Sequence, residues 1–513
     1  MRVLLWHGWL LEGSGSNVYA AKTAEVMRRA GHEVVLLCQE PSPGRFPFVD
    51  ACGTVSGRGV AGLVATGAEP ARGRLVVLRP EIGSLLPVFV VDEYEGFEVK
   101  RFVDLGDREL DLYLERNVEA LRAAASWHRP EAVVTGHAVP GSVLALRALG
   151  ARTYVAKIHG SDLEYAVRRQ RRYLELTREG LEGAVAVAGA SRDVLERTRD
   201  FVPEVAARLY VVAPGVEIGV FRPGVRTRLL GHAARRLDEN PEVKRGRPEA
   251  VDDAVREALT SRRADRMEEL ARSYDQAVPD LGAAERLRRE AVHEGGLVGY
   301  FGKFIPEKGV HLLVQALALA RTAPRAIVIG FGLHREWLTG LTWALHEGDV
   351  GAVRWLAASS RLDVELSDRE IVAAAGLAHR VVFTGRLDHR YAGVVGALDV
   401  LVVPSVLDEA FGMVAAEGAA AGALPLVARH SGLAEVASAI EGSVGRPGLF
   451  SYDPGQGASH RIAEGLDRVL GLPREEISTL RATVSGFASR EWTWERTAER
   501  LLSLAGPAEA NGT

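Results

Sequence analysis

The sequence predicts an α/β protein with two domains, each a parallel sheet covered by helices on both faces. Short apolar runs recur along the chain with helical patterns between them, which is the rhythm of repeated strand–helix–strand units. A charged stretch at 225–294 interrupts this rhythm, which then resumes at 297. A chain of 513 residues is also too long for one ordinary hydrophobic core, so we expect two.

The first domain opens with the clearest of these units. An apolar run at 2–6 is followed by a glycine-containing loop at 11–18, a helical pattern at 19–30 and a second apolar run at 32–38. Residues 41–73 are rich in Gly, Pro and Arg without a clear period, which predicts a loop with short elements. Further predicted strands lie at 74–78, 131–136, 153–158, 184–189 and 209–215.

The second domain repeats the pattern. Its predicted strands lie at 297–302, 326–332, 380–385, 398–405 and 423–428, with a smaller interruption at 338–378. The stretch 225–294 holds 15 basic and 15 acidic residues, and we interpret it as a helical insertion whose charges face water. The predicted boundaries are 1–213 for the first domain, 214–480 for the second, 481–505 for a C-terminal helix that packs back on the first, and 506–513 for a polar tail.

Composition excludes several classes of function. The formal net charge of −4 provides no overall basic field for nucleic acid. The two cysteines do not make a disulfide framework or a metal site. His7 and Gly8 interrupt the apolar N-terminus, which argues against a signal peptide, and no apolar run reaches the roughly 18 residues of a membrane span. We expect a cytoplasmic protein and leave a peripheral membrane contact open.

Ligands of open parallel sheets bind at the carboxyl ends of the strands, so the residues that follow each strand carry the functional prediction. The loop 13–16 allows close backbone approach to an anion, although Val18 breaks the full dinucleotide-binding spacing and a simple tight turn explains it equally well. His159 and Asp162 follow the strand at 153–158. A lone His is usually structural, but its place in a glycine-containing loop at a strand end favours a functional role.

Two lysines flank a turn in the second domain. Lys303 follows the strand at 297–302, and Lys308 and Gly309 precede the next helical pattern. A pyrophosphate would meet two cations and a helix N-terminus here, each contact typically worth about 1.5–3 kcal/mol. Two solvated surface lysines are the alternative.

A second charged motif, DEAFGMVAAEG at 408–418, follows the strand at 398–405. A predicted helix begins near Gly412, and the N–H groups of Gly412, Met413 and Val414 would point at an anion. Glu409 precedes this helix, where it could simply offset the helix dipole. Glu417 lies among Ala and Gly, so we expect it to be partly buried and to need hydrogen-bond donors such as sugar or ribose hydroxyls.

Together these motifs resemble a known family. The segments GKFIPEKGV, VVFTGRLD, VVPSVLDEAFGMVAAEGAAAGALPLVA and SGLAEV occur in this order. They are similar to the retaining glycosyltransferases of family 4 (glycosyl transferases group 1), which have two facing Rossmann-like domains, the GT-B fold. The pair Glu409 and Glu417, eight residues apart, is the most specific mark. Residues 13–34 and the HGSD loop at 159–162 match the family's first domain.

The resemblance implies a role for each motif residue. Lys303 and Lys308 hold the donor pyrophosphate, although Lys303 stands where the family usually has Arg. Glu417 binds the donor ribose, while Glu409 and His159 contact the donor sugar near the reacting carbon and are the implied catalytic pair.

The remaining implied contacts surround the same ligand. Backbone N–H groups near Gly412 and Met413 bind the distal phosphate or sugar hydroxyls. The other implied positions are Gly15 and Ser16 at the phosphates, Gly385 and Arg386 near the base, Phe411 and Val414 beside the phosphate-binding helix start, and Asp162 on the acceptor or sugar side.

These roles imply transfer of a sugar from a nucleoside-diphosphate sugar to an acceptor, with retention and without a metal or other cofactor. Lysines and a helix N-terminus would stabilise the charge that grows on the leaving phosphate. The implied partners are the nucleotide-sugar donor and an acceptor that is a glycan, a lipid or a small molecule. Two alternatives remain open: a sugar-nucleotide epimerase on the same fold, and a non-catalytic protein that binds a nucleotide sugar.

Overall fold

The computed structural model describes residues 1–90, 94, 96–274 and 277–506. The chain divides into two compact units, Met1–Gly215 with Trp492–Thr513, and Val216–Glu491. The first boundary therefore falls two residues after the predicted one. The predicted polar tail, 506–513, lies outside the described residues except for Gly506.

The first unit is built on a largely parallel sheet. Its strands are β1 (Arg2–Trp6), β2 (Glu33–Leu37), β3 (Ala51–Ser56), β4 (Gly59–Ala65), β5 (Arg74–Pro80), β6 (Leu85–Val88), β7 (Glu98–Arg101), β8 (Ala132–Gly136), β9 (Val155–Lys157), β10 (Ala186–Gly189) and β11 (Leu209–Val211). Its first helices are α1 (Gly15–Arg29), α2 (Asp107–His128), α3 (Ser142–Leu149), α4 (Arg171–Gly183) and α5 (Arg192–Phe201).

The main sheet of this unit runs β11-β10-β9-β8-β1-β2-β5-β3-β4, and β6 pairs separately with β7. Its central strands are apolar on both faces, as a sheet covered on both sides requires. The strand order reverses between β1 and β8. At such a reversal the loops that follow two neighbouring strands run in opposite directions. A crevice forms between these loops, at the carboxyl ends of the strands.

The stretch 41–73 is more regular than predicted. It forms the antiparallel hairpin β3–β4 at the edge of the sheet. Leu63 and Val64 on β4 are both exposed although they are apolar. The strand therefore lacks the alternation of buried apolar and exposed polar residues that marks a half-buried strand. The missing alternation explains why the strand pattern could not be read from the sequence.

The second unit has a six-stranded parallel sheet in the order β14-β13-β12-β15-β16-β17. Its strands are β12 (Leu297–Phe301), β13 (Arg325–Ile329), β14 (Val381–Phe383), β15 (Val400–Val403), β16 (Leu424–Ala428) and β17 (Ser451–Tyr452). Its helices are α6 (Arg226–Glu239), α7 (Val251–Thr260), α8 (Ala264–Ser273), α9 (Ala283–Ala291), α10 (Val310–Leu319), α11 (Arg335–Glu347), α12 (Val350–Ser359), α13 (Asp368–Ala373), α14 (Gly393–Gly396), α15 (Met413–Ala420), α16 (Ser431–Val444), α17 (Ala458–Leu470) and α18 (Arg474–Glu491). This order reverses between β12 and β15, which confirms the prediction of two parallel α/β sheets.

The charged insertion is helical, as predicted, but its charges do not all face water. Helices α7 and α8 pack against α11, which begins just before the second predicted interruption at 338–378. Arg247 is buried and donates two hydrogen bonds of 2.7 Å to the carboxylate of Glu336, which is also buried. The expectation of a wholly solvated insertion is wrong for these residues, because α11 supplies a buried partner that the local charge pattern does not reveal.

The predicted helix over 481–505 is two helices that belong to different units. In α18, Arg481 donates to Asp399 at 2.9 Å within the second unit. The last helix, α19 (Trp494–Ala505), packs against α1 and β8 of the first unit. In the part of the chain that the structure describes, every helix is too short or too polar to cross a membrane.

Candidate active site

The two motifs of the second unit lie side by side because β12 and β15 are neighbouring strands. After β12, the turn Pro306–Lys308 is tied to the loop after β15, since the N–H of Val406 donates to the carbonyl of Glu307 at 2.9 Å. Gly309 has φ +66°, and a Cβ atom there would lie 2.0 Å from the carbonyl oxygen of Pro404. Only glycine permits this approach, which holds the two loops together.

The side chains of these loops form an ion pair. Lys308 Nζ donates to Glu409 Oε1, and both side chains remain partly exposed. The backbone of Glu409 is fixed at both ends, because its N–H donates to Ser431 Oγ at 2.9 Å and its carbonyl accepts from the N–H of Gly432 at 2.9 Å. The loop therefore presents the carboxylate in one defined place.

Helix α15 begins immediately after this loop, as predicted. Gly412 is its N-cap with φ +103°, and a Cβ atom there would lie 2.5 Å from Leu433. No side chain caps the helix. The N–H groups of Met413 and Val414, in the first turn, have no intrahelical acceptor, so they can bind an anion. Phe411 is buried beside them.

Glu417 lies one turn further along α15 and is half-buried. Burial and, to a smaller extent, the nearby carboxylate of Glu217 raise the pKa of its carboxyl group to about 8. The carboxyl group makes no hydrogen bond or ion pair with any residue that the structure describes. Without a ligand it is therefore protonated at neutral pH, and hydroxyl donors would favour its ionised form.

A third feature surrounds the end of β13. Phe331 follows this strand, and Lys303 Nζ and Arg386 Cζ each lie 5.9 Å from the centroid of its ring. Gly385 has φ +71° and turns the chain into Arg386. The structure thus brings Lys303 and Arg386 to one aromatic ring, a suitable surface for the flat base of a nucleotide.

In the first unit, His159 follows β9 and contacts two other rings. Its ring centroid lies 4.5 Å from that of His137 and 5.3 Å from that of Tyr19. Burial, together with the neighbouring His137, Lys157 and His7, lowers the pKa of His159 well below its ordinary value. His159 is therefore neutral at physiological pH, and its contact with the donor sugar stays a prediction.

Asp162 is fully buried beneath the same loop. Its carboxylate accepts hydrogen bonds from the N–H groups of Ala138 at 2.5 Å and Gly160 at 2.9 Å, which joins the loops after β8 and β9. Burial raises its pKa to about 6 against the effect of these bonds. Asp162 thus positions these two loops, and its acceptor-side or sugar contact stays a prediction.

The glycine-containing loop after β1 leads into α1. Gly15 and Ser16 form the first turn of this helix, and Ser14 caps it by accepting from the N–H of Asn17 at 3.3 Å. Gly15 is exposed and Ser16 is half-buried. Their N–H groups are available to an anion, as the sequence predicts.

Three histidines of these loops were not predicted as site residues. His7 and His137 follow β1 and β8 and line the same crevice as His159. His430 follows β16, and its Nε2 lies 2.7 Å from the carbonyl oxygen of Ser405, at the base of the Glu409 loop. All three stand just after a strand, so a uniform search of strand ends would have found them.

Solved structures share this architecture across the whole chain. Sucrose-phosphate synthase from Thermosynechococcus elongatus is 18% identical with a TM-score of 0.56, and the match covers 98% of each chain. HepE from Anabaena in complex with UDP is 15% identical with a TM-score of 0.56, over 98% of this chain and 99% of that one. A glycosyltransferase from Rickettsia africae is 12% identical with a TM-score of 0.54, over 98% and 97%. These likenesses define the fold as the two-domain GT-B type.

Fold and motifs together define an enzyme that transfers sugars. Residues 14–215 match the family described as "Glycosyl transferase 4-like domain", and residues 284–476 match "Glycosyl transferases group 1". The chain belongs to the group 1 glycosyltransferases of GT-B type, as its resemblance to family 4 implies. A comparison with curated protein sequences gave no match.

The approach of the two loops leads to a testable prediction. Gly309→Ala should lower the free energy of unfolding of the second unit by about 2–4 kcal/mol, because the new side chain is strained at positive φ and collides with a backbone oxygen. Gly442→Ala is the matched control. Gly442 lies in α16 with open space around it, so alanine should stabilise by roughly 0.5–1 kcal/mol. Chemical denaturation measures both, and equal effects would contradict the prediction.

Proposed function

We propose that the second unit binds a nucleoside-diphosphate sugar and that the enzyme transfers the sugar to an acceptor that is a glycan, a lipid or a small molecule. The observation that carries this proposal is the meeting of Lys308, Glu409 and the uncapped start of α15 at one point of the sheet. A cation and free N–H groups suit a pyrophosphate, while a fixed carboxylate beside them suits a sugar.

The departure of the nucleoside diphosphate is the demanding step, because negative charge grows on the leaving phosphate. Lys308 and the N–H groups of Met413 and Val414 would stabilise this charge, with Lys303 as a second cation. These groups are preorganised by the fold, so they need no rearrangement as charge develops. We propose on this basis that transfer requires neither a metal ion nor another cofactor.

We further propose transfer with retention, in which the acceptor oxygen attacks from the face that the phosphate leaves. The bond from the anomeric carbon to the phosphate oxygen breaks, the bond to the acceptor oxygen forms, and the acceptor proton passes to the leaving phosphate. Glu409 is held in an ion pair with Lys308, which reduces its strength as a nucleophile. This contact supports a role for Glu409 in stabilising positive charge on the sugar ring.

The first experiment is a thermal shift of the purified protein with UDP, GDP, ADP and dTDP, each in EDTA and then in magnesium. UDP is the first probe, because HepE from Anabaena is described in complex with UDP and with UDP-glucose. One nucleotide at tens of Kd should stabilise by about 2 kcal/mol in both media. A shift with none of them, or only with magnesium, contradicts metal-independent donor binding.

Turnover separates an enzyme from a binding protein. Lys308→Ala and Glu409→Gln should each lower the rate of nucleotide release from the donor by about 10²–10³, since each removes one preorganised charge. Lys244→Ala is the control, because Lys244 is an exposed lysine of the insertion. If the wild type releases no nucleotide while still showing the thermal shift, the non-catalytic alternative is favoured.

The raised pKa of Glu417 predicts that donor binding releases a proton. Its carboxyl group, with a pKa near 8, is protonated at pH 7, and ribose hydroxyls that donate to it would lower that pKa. Donor binding at pH 7 should therefore release up to one proton, and affinity should rise with pH until about 8. Calorimetry in buffers of different ionisation enthalpy measures the proton count. Glu417→Gln should abolish this release, and an unchanged count would contradict the assignment.

A further inference from the structure

A second pocket lies in the second unit, at the edge of the sheet formed by β14. Its volume is about 630 Å³, within the range of small-molecule sites. Its walls come from α7, α9, α11 and β14, so the charged insertion supplies much of it. Arg325, the first residue of β13, also lines it. The residues assigned to the candidate donor site are absent from the lining of this pocket, so the two sites are distinct.

Charge is distributed unevenly in this pocket. Five arginines and three carboxylates line it. The side chains of Arg286 and Arg335 are only 9% and 8% exposed, whereas those of Glu249 and Asp253 are 66% and 74% exposed. Two of the five arginines are therefore buried and form the floor, and the two most exposed carboxylates lie at the rim.

The floor has an unused donor. Arg335 donates to Thr339 Oγ1 at 2.7 Å and to Asp280 Oδ2 at 2.9 Å, but its buried Nε–H has no acceptor among the described residues. Asp280 Oδ2 also accepts from Arg286 at 3.0 Å, so one carboxylate serves two guanidinium groups. Burial lowers the pKa of Arg335, and the nearby carboxylate of Asp280, which raises it, offsets only part of this effect. An anion bound here could accept from the unused Nε–H of Arg335.

The upper wall offers further donors. The guanidinium of Arg256 lies 4.4 Å from the centroid of the Trp343 ring and donates to Asp253, a carboxylate that is 74% exposed and that an entering anion can displace. Arg289 is exposed and makes no ion pair with any described residue. Glu249 is held to Arg286 by a single 3.2 Å contact at a solvated position, so an entering anion can displace it.

We propose that this pocket binds the phosphate group of a small organic phosphate, with Arg256 and Arg289 closing over it above the Arg286 and Arg335 floor. A phosphate presents several oxygens to the planar forks of arginine, which a single carboxylate cannot do. Trp343 also lines the pocket, so an aromatic side chain stands beside the organic part. The proposal does not depend on sugar transfer.

The test is a calorimetric titration of the full chain with glucose 6-phosphate and with inorganic phosphate at millimolar concentration, with glucose as the uncharged probe. Each titration is repeated in an excess of UDP, GDP, ADP or dTDP, so that the candidate donor site is already occupied. We expect saturable binding of at least one phosphate probe, none of glucose, and no competition from the nucleotides.

The double variant Arg256→Ala, Arg289→Ala should weaken that binding by at least about 10-fold. Both side chains are exposed enough for the protein to stay folded, which an unchanged Tm verifies. The control pair Arg266→Ala, Arg272→Ala lies on α8 outside the pocket and should bind as the wild type does. Absence of binding by both phosphate probes, competition by a nucleotide, or unchanged binding by the double variant would each overturn the proposal.

Discussion

The contact on which the candidate site depends is the close approach of two backbone loops at the reversal of strand order. Neighbouring strands β12 and β15 bring the loops to one edge of the sheet, and Gly309 lets their backbones touch. Lys308 and Glu409 meet as a result, although 101 positions separate them in sequence. A side chain at Gly309 would separate the loops before it altered any charge, so packing governs the electrostatics of the site.

Burial gives the two glutamates of the motif opposite properties, although they stand eight residues apart. Glu409 lies in a loop and has a cation beside it, so its charge is compensated. Glu417 lies in a helix among alanines and has another carboxylate as its charged neighbour, so its neutral form is favoured. The hydroxyl groups of a bound ligand would donate hydrogen bonds to Glu417, and its phosphate would provide an anion for Lys308. The pair can thus recognise both parts of a nucleotide sugar.

The positions of the strands could be predicted because an apolar run indicates a buried strand whatever the order of the strands in the sheet. Positions that depend on which strands are neighbours could not be predicted. Phe331 carries no local signal, and its place near both Lys303 and Arg386 follows from the adjacency of β12, β13 and β14. The Lys308–Glu409 contact likewise became visible only with the strand order. Asp162 was predicted as a site residue from its place after a strand, whereas its hydrogen bonds to the N–H groups of Ala138 and Gly160 became visible only with the fold.

In the charged insertion, the sequence likewise did not predict which charged residues are buried. Its balanced composition predicts a solvated surface, yet Arg247, Arg286 and Asp280 are buried. Stability alone does not require this arrangement, because replacing a buried ion pair with well-packed apolar side chains is often neutral or stabilising. Arg286 lines the pocket that we propose for a phosphate, which supplies a functional reason for its burial. Arg335 stands at the start of α11, four residues after Phe331, so the floor of that pocket and the aromatic ring of the donor site belong to one short connection between β13 and α11.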